Sequence, residues 1–203
     1  MNDVFEYVFP GLMLLWICFI ANGMFVDVFE EYKAGTIARL ITSGVTMRAV
    51  LASKILRCLA ICWICQVLMI VFTLLVFDVG WKDPLMLFVL LTSFDVCLTG
   101  VLALVYGYAR STELANGIIV FMIMISGFLG GSFMPFRELP RIMQNIGQWT
   151  MIRMGIYGIE SIFQTRPLWE VVRPSLLLTG AGVILMSMGV RVMRKRFESG
   201  NVA

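Results

Sequence analysis

Histidine is missing from all 203 residues. Its absence excludes His-ligated zinc or haem, the H-E-x-x-H metalloprotease helix and any Ser–His or Cys–His catalytic pair. Charge is scarce as well: Asp, Glu, Lys and Arg make up 14% of the chain, against about 25% in soluble domains. The net charge of +3 is too small to argue for a nucleic-acid partner. The opening, MNDVFEY, is acidic where a signal peptide is basic, so no cleavable signal is expected. No paired carboxylates sit at one depth in the apolar runs, which argues against an intramembrane enzyme.

What the chain has in excess is apolar residues, 60% of the total where roughly 45–50% is usual. They fall in long runs at 8–29, 58–77, 85–109, 117–133 and 174–193. A bilayer core needs about 20 apolar residues per helix, so the pattern predicts an all-α, polytopic transmembrane helix bundle of about five spans. The expected organisation is one transmembrane domain over 1–203, with two segments outside the spans, 30–57 and 134–173. The five cysteines, Cys18, Cys58, Cys62, Cys65 and Cys97, all lie inside the runs. Cys62 and Cys65 form a C-x-x-C, but their neighbours Ile61, Trp63 and Ile64 are apolar and no second pair exists. Packing, with no metal site, is the expected role.

Lys and Arg set the orientation. Lys33, Arg39, Arg48, Lys54 and Arg57 come after the first run, Arg110 after the third, and Arg191, Arg194, Lys195 and Arg196 close the chain. The opposite side carries Lys82 and five arginines, all five within the longer segment 134–173, which counts less. The C terminus is therefore expected in the cytoplasm and the N terminus outside. An external start is unusual for a chain with no preceding helix, and the expectation is that something upstream is missing.

In 30–57, Ile37, Leu40 and Ile41 recur at i, i+3, i+4, and so do Met47, Val50 and Leu51, with Gly44 between. That spacing predicts two short amphipathic helices with a hinge. Their apolar faces would meet lipid or the bundle and their basic faces the cytosol. An interfacial helix that only anchors the loop would have the same pattern. In 134–173, Ile142, Met143, Ile146, Trp149, Ile152 and Ile156 keep near-helical spacing behind Pro135 and Pro140. One or two short helices dipping into the outer leaflet are expected, since irregular backbone at that depth must be covered by protein or line a water-filled cavity. Trp149, Tyr157 and Trp169 suit the membrane interface.

Asp95 and Gln66 lie near the middles of the third and second runs, at one depth in adjacent helices. A lipid-buried carboxylate costs roughly 2.5–3.5 kcal/mol, so it must face the bundle or a cavity. The pair marks either a substrate or proton path or an interhelical hydrogen bond worth about 0.6–2 kcal/mol; the second is the preferred reading. Gly127 and Gly131 form a G-x-x-x-G, which permits close approach of another backbone, in a dimer or within the chain.

Glu31-Tyr-Lys-Ala-Gly35-Thr36-Ile-Ala-Arg39-Leu40 resembles the E-x-x-x-G-T-x-x-R-L signature of type-2 ABC exporter permeases. Lys54 stands where that family often has a lysine opening the next helix. Gly130-Gly131-Ser-Phe-Met-Pro135, then Glu138-Leu139-Pro140 and Met143-Gln-Asn-Ile-Gly147, resemble its external G-G-x-x-x-P…L-P segment. Pro10-Gly11, opening the first span, fits too.

The resemblance implies a coupling helix in the cytoplasmic segment, seated in a groove of an ATP-binding subunit. Glu30, Glu31, Gly35, Thr36, Arg39 and Leu40 would contact or position it. Gly35 would permit the turn at its edge, and Thr36 would cap the helix after that turn. The stretch 135–163, with Gly130, Gly131, Pro135, Leu139 and Pro140, would form external re-entrant helices closing the pathway. The chain departs from the family by lacking the helix usually found before the Pro-Gly span, and by Met151 where a proline usually stands. It also has no G-x-x-x-x-G-K-[ST], so ATP would be bound and hydrolysed by a separate subunit, with no cofactor here.

The resulting expectation is an inner-membrane permease subunit, not an enzyme. Its partners would be an ABC ATPase, a second permease copy or paralogue, and membrane lipid. The rival readings are a non-transporting anchor or regulatory subunit, and secondary transport through Asp95 as a proton site. Met- and Phe-rich surfaces would suit lipids, lipid-linked glycans or hydrophobic drugs as cargo, but such residues are more often lipid-facing filler.

Overall fold

The computed structural model describes residues 2–77 and 83–198. The turn expected at 78–82, with Lys82, and the tail beyond residue 198 lie outside the described residues. Among those described, every regular element is helical. Five helices are long: α1 (Asn2–Lys33), α3 (Met47–Phe77), α4 (Pro84–Tyr108), α5 (Thr112–Gly130) and α8 (Trp169–Glu198), and three are short, α2 (Thr36–Thr42), α6 (Arg141–Gly147) and α7 (Met151–Phe163). A single 3-10 turn, Phe136–Glu138, precedes α6.

The long helices are all apolar and long enough to cross a membrane, over Val8–Lys33, Met47–Val76, Pro84–Tyr108, Thr112–Gly130 and Trp169–Lys195. At a rise of about 1.5 Å per residue, even the 19 residues of α5 nearly match a hydrocarbon core of about 30 Å. The protein is an integral, multi-pass membrane helix bundle.

Local chemistry sets the helix ends. The Asp83 side chain accepts from the Met86 N–H at 3.1 Å, with Pro84 as the first helical residue of α4. Ser111 caps α5 by accepting from the Leu114 N–H at 3.1 Å, and Thr150 caps α7 by accepting from Arg153 N–H at 3.3 Å. Each satisfies an N–H that a helix start leaves without a partner. Gly131 ends α5 at φ 87°, a left-handed conformation that glycine adopts without steric cost.

The second amphipathic helix expected in the cytoplasmic segment does not exist as a separate unit. Met47, Val50 and Leu51 are the buried first turns of α3, which runs unbroken to Phe77. No glycine or proline occurs between 47 and 77, so nothing breaks the helix where the charged segment meets the apolar run. The turn falls earlier, at Gly44, with φ 91°.

Helix α4 lies at the centre, packed on α1, α3, α5, α7 and α8. Its most extensive partner is α8, and the two run parallel with small residues between them. A Cβ at Gly100 would come within 2.6 Å of the Gly182 carbonyl oxygen, and one at Gly189 within 2.5 Å of the Ala103 carbonyl carbon. Lipid tails are as apolar as leucine, so membrane helices associate by such close backbone packing. Ile64, Leu68, Phe72 and Leu75 of α3 are exposed, an apolar surface that in a bilayer meets lipid or another helix.

Candidate functional site

The motif-bearing corner is built from the end of α1, α2 and the start of α3. Glu31 lies between two cations of α3: it pairs with Lys54, and its carboxylate accepts from the Arg57 guanidinium at 3.4 Å. Lys33 pairs with Glu113 at the start of α5 at 3.2 Å and with Glu30 at 3.7 Å. The end of α1 is thereby tied to two other spans. Glu30 itself remains largely exposed, with 59% of its side chain accessible.

Gly35 makes the turn from α1 into α2 at φ 73°. Thr36 does not cap α2, contrary to expectation: it is already the first helical residue, and no side chain caps the start of that helix. At the other end, Ser43 Oγ donates to the Leu40 carbonyl at 2.8 Å and Thr42 Oγ1 to that of Arg39 at 2.8 Å. The expected apolar face of α2 is split. Ile37 is fully buried, whereas Leu40 and Ile41 are 39% and 40% exposed and Arg39 is exposed beside them. One residue anchors the helix and two present an apolar surface outward.

At the far end of the bundle, Gly130 and Gly131 close α5. A Cβ on Gly130 would meet Ile152 Cγ2 at 3.1 Å, so α7 packs tightly there. Pro135 and Pro140 stand immediately before the 3-10 turn and α6. Leu139 is buried, and its carbonyl accepts from Gln144 Nε2 at 2.7 Å, which folds α6 back on its own start. Helix α7 buries Ile152, Ile156, Ile159 and Ile162 and contacts α1, α4, α5 and α8. The G-x-x-x-G of α5 is used within the chain: Gly127 faces Leu15 of α1, and Gly131 terminates the helix.

Midway between these ends, Gln66 Nε2 donates to both Asp95 carboxylate oxygens, at 2.9 and 3.0 Å. Both side chains are buried. A second buried polar group was not foreseen. Tyr106 donates its hydroxyl to Asn22 Oδ1 at 2.9 Å, and Asn22 Nδ2 donates to Asn116 Oδ1 at 2.6 Å, joining α4, α1 and α5. The Tyr106 ring packs on Phe25 and Phe29, with centroids 5.7 and 5.3 Å away. The signal was present in the sequence, since Asn22 interrupts the first apolar run as Asp95 interrupts the third.

Residues 1–191 match the protein family described as ABC-2 family transporter protein. The chain is similar to a linearmycin resistance permease protein of Bacillus subtilis, at 20% identity over 91% of this chain and 48% of that protein. It is also similar to a putative transport permease of the same organism, at 31% identity over 44% of this chain and 36% of that protein. The chain thus spans about half the length of the first relative and about a third of the second. No solved structure matches it significantly.

Proposed function

This chain belongs to the ABC-2 family of transporter proteins, and we propose that it is the membrane-spanning permease part of an ATP-driven exporter. In this reading the α2 corner is cytoplasmic and docks on a separate ATP-binding subunit, and the α6–α7 end is external and covers the pathway. The chain works with a second permease copy or paralogue. The excess of Lys and Arg on the α2 side supports that orientation.

The observation that carries the proposal is the split face of α2. A seven-residue helix is too short to be stable alone, yet this one is pinned by buried Ile37 and braced by the Glu31 pairs, while Leu40 and Ile41 face outward. Movement imposed on that outward surface passes to α1, on which α2 packs, and from α1 through the Glu31 pairs to α3 and through Lys33 and Glu113 to α5. ATP binding in the partner shifts the bundle between inward- and outward-open states only because the partner binds α2 differently in each.

The test is a mild-detergent pull-down of the tagged chain from its host, with bound subunits identified by azido-ATP photolabelling. Wild type should recover a labelled subunit; Leu40→Glu and Gly35→Pro should lose it. Recovery of no nucleotide-binding subunit by wild type would sink the proposal and favour a membrane anchor without transport.

A further inference from the structure

The 3-10 turn, the loop between α6 and α7, α7 itself and the first turns of α8 line an open cleft of about 410 Å³, within the range of small-molecule sites, about 300–1,000 Å³. Phe136, Trp149, Arg153, Tyr157, Arg173 and Leu177 line it. Most of its charge is answered locally. Arg153 donates to both Glu160 oxygens at 3.3 Å, and its guanidinium lies 4.2 Å from the centre of the Phe136 ring. Glu170 accepts from the Tyr157 hydroxyl at 2.9 Å and from Arg166 at 3.1 Å.

Three guanidinium groups therefore meet two carboxylates, and the excess cation is Arg173. It is exposed, and among the described residues no side chain pairs with it. Arg173 sits one turn into α8, at the edge of a candidate span. Below it, Leu177, Ile184 and Met188 share one helical face and are 50%, 62% and 45% exposed. An unpaired cation at the membrane edge above a continuous apolar strip matches a molecule with an anionic head and a hydrocarbon chain.

We propose that this cleft binds an anionic membrane phospholipid. Its phosphate meets the Arg173 guanidinium, whose planar fork suits phosphate oxygens. One acyl chain lies along Leu177, Ile184 and Met188. Trp149, 71% exposed, flanks the head group at the depth where indole rings favour the interface. The uncompensated charge selects an anionic over a zwitterionic lipid. This site requires neither the ATPase partner nor any particular cargo.

Trp149 reports on the cleft. The full chain is placed in nanodiscs containing brominated phosphatidylglycerol or brominated phosphatidylcholine, with Trp149→Phe isolating the indole's contribution to quenching. The anionic lipid should reach half-quenching at about fivefold lower mole fraction, the effect of one surface cation on an anionic lipid. Arg173→Gln should remove that preference and leave the phosphatidylcholine curve unchanged; Arg173→Lys should keep most of it. Equal curves for the two lipids in wild type would overturn the proposal, as would a preference that survives Arg173→Gln. Displacement by inorganic phosphate would reduce the site to a simple anion site. Shielding of Trp149 from both lipids would show that a second protein surface covers the cleft. Either result overturns lipid binding.

Discussion

Gly182 of α8 lies directly against the backbone of Cys97 in α4: a Cβ on Gly182 would come within 2.6 Å of the Cys97 nitrogen and 2.7 Å of its Cα. The atoms in the way are main chain at the middle of a helix, so they cannot swing aside as a side chain would. The approach continues along the seam, where Gly189 meets Ala103 and Gly107 faces Val192 at 3.3 Å. Central packing of the bundle depends on this parallel pair.

Gly182→Leu should therefore force α4 and α8 apart, lowering stability by at least the roughly 1–3 kcal/mol typical of overpacking. Gly180→Ala, two residues away and facing open space, should be neutral or gain about 0.4–1 kcal/mol through the unfolded chain. Thermal unfolding in detergent compares the two; equal midpoints would contradict the seam.

Asp95→Ala leaves the Gln66 amide buried without its acceptor and should cost about 1–3 kcal/mol. Asp95→Asn keeps an acceptor oxygen and should unfold near the wild-type temperature with transport intact. Loss of transport in a normally stable Asp95→Asn protein would instead make the carboxyl part of a proton path.

Tyr106→Phe removes a donor from Asn22 while keeping the ring against Phe25 and Phe29. A loss of about 1 kcal/mol is expected. Asn22→Leu breaks both hydrogen bonds and should cost more, because it removes the acceptor of the Tyr106 hydroxyl and the donor to Asn116 together. The order of the two midpoints is the readout.

Glu31→Lys sets a third cation beside Lys54 and Arg57. The cluster is partly exposed, so a loss of about 1 kcal/mol is expected after solvent screening. Adding Lys54→Glu should recover part of it, and a double-mutant cycle measures the coupling. Additive effects would show that the pair contributes nothing.

Ile37→Ala empties a fully buried position and should destabilise by about 2–4 kcal/mol. Leu40→Ala removes an exposed side chain and should stay within about 0.5 kcal/mol of wild type. The proposed docking role predicts the reverse order for loss of the nucleotide-binding partner per folded molecule. Co-purification measured beside unfolding midpoints separates the two effects.

Composition alone determined that this is a bundle of membrane spans, because 20-residue apolar runs leave a chain few other options. Local residues determined where helices start and stop: Asp83, Ser111 and Thr150 cap the starts of α4, α5 and α7, and Gly131 ends α5. The equal depth of Gln66 and Asp95 was also legible, since a buried carboxylate needs a nearby partner. Thr36 misled, because a capping residue type does not fix its position relative to the first helical turn. The second short helix misled because amphipathic spacing continues unbroken into an apolar run.

The α4–α8 seam, the Asn22–Tyr106–Asn116 connection and the split face of α2 were decided only by tertiary structure. In water an apolar face points inward, and periodicity reveals it. In lipid both the inner and outer faces of a span are apolar, so the pattern carries no direction. Which glycine meets which backbone then depends on helices far apart in sequence coming together.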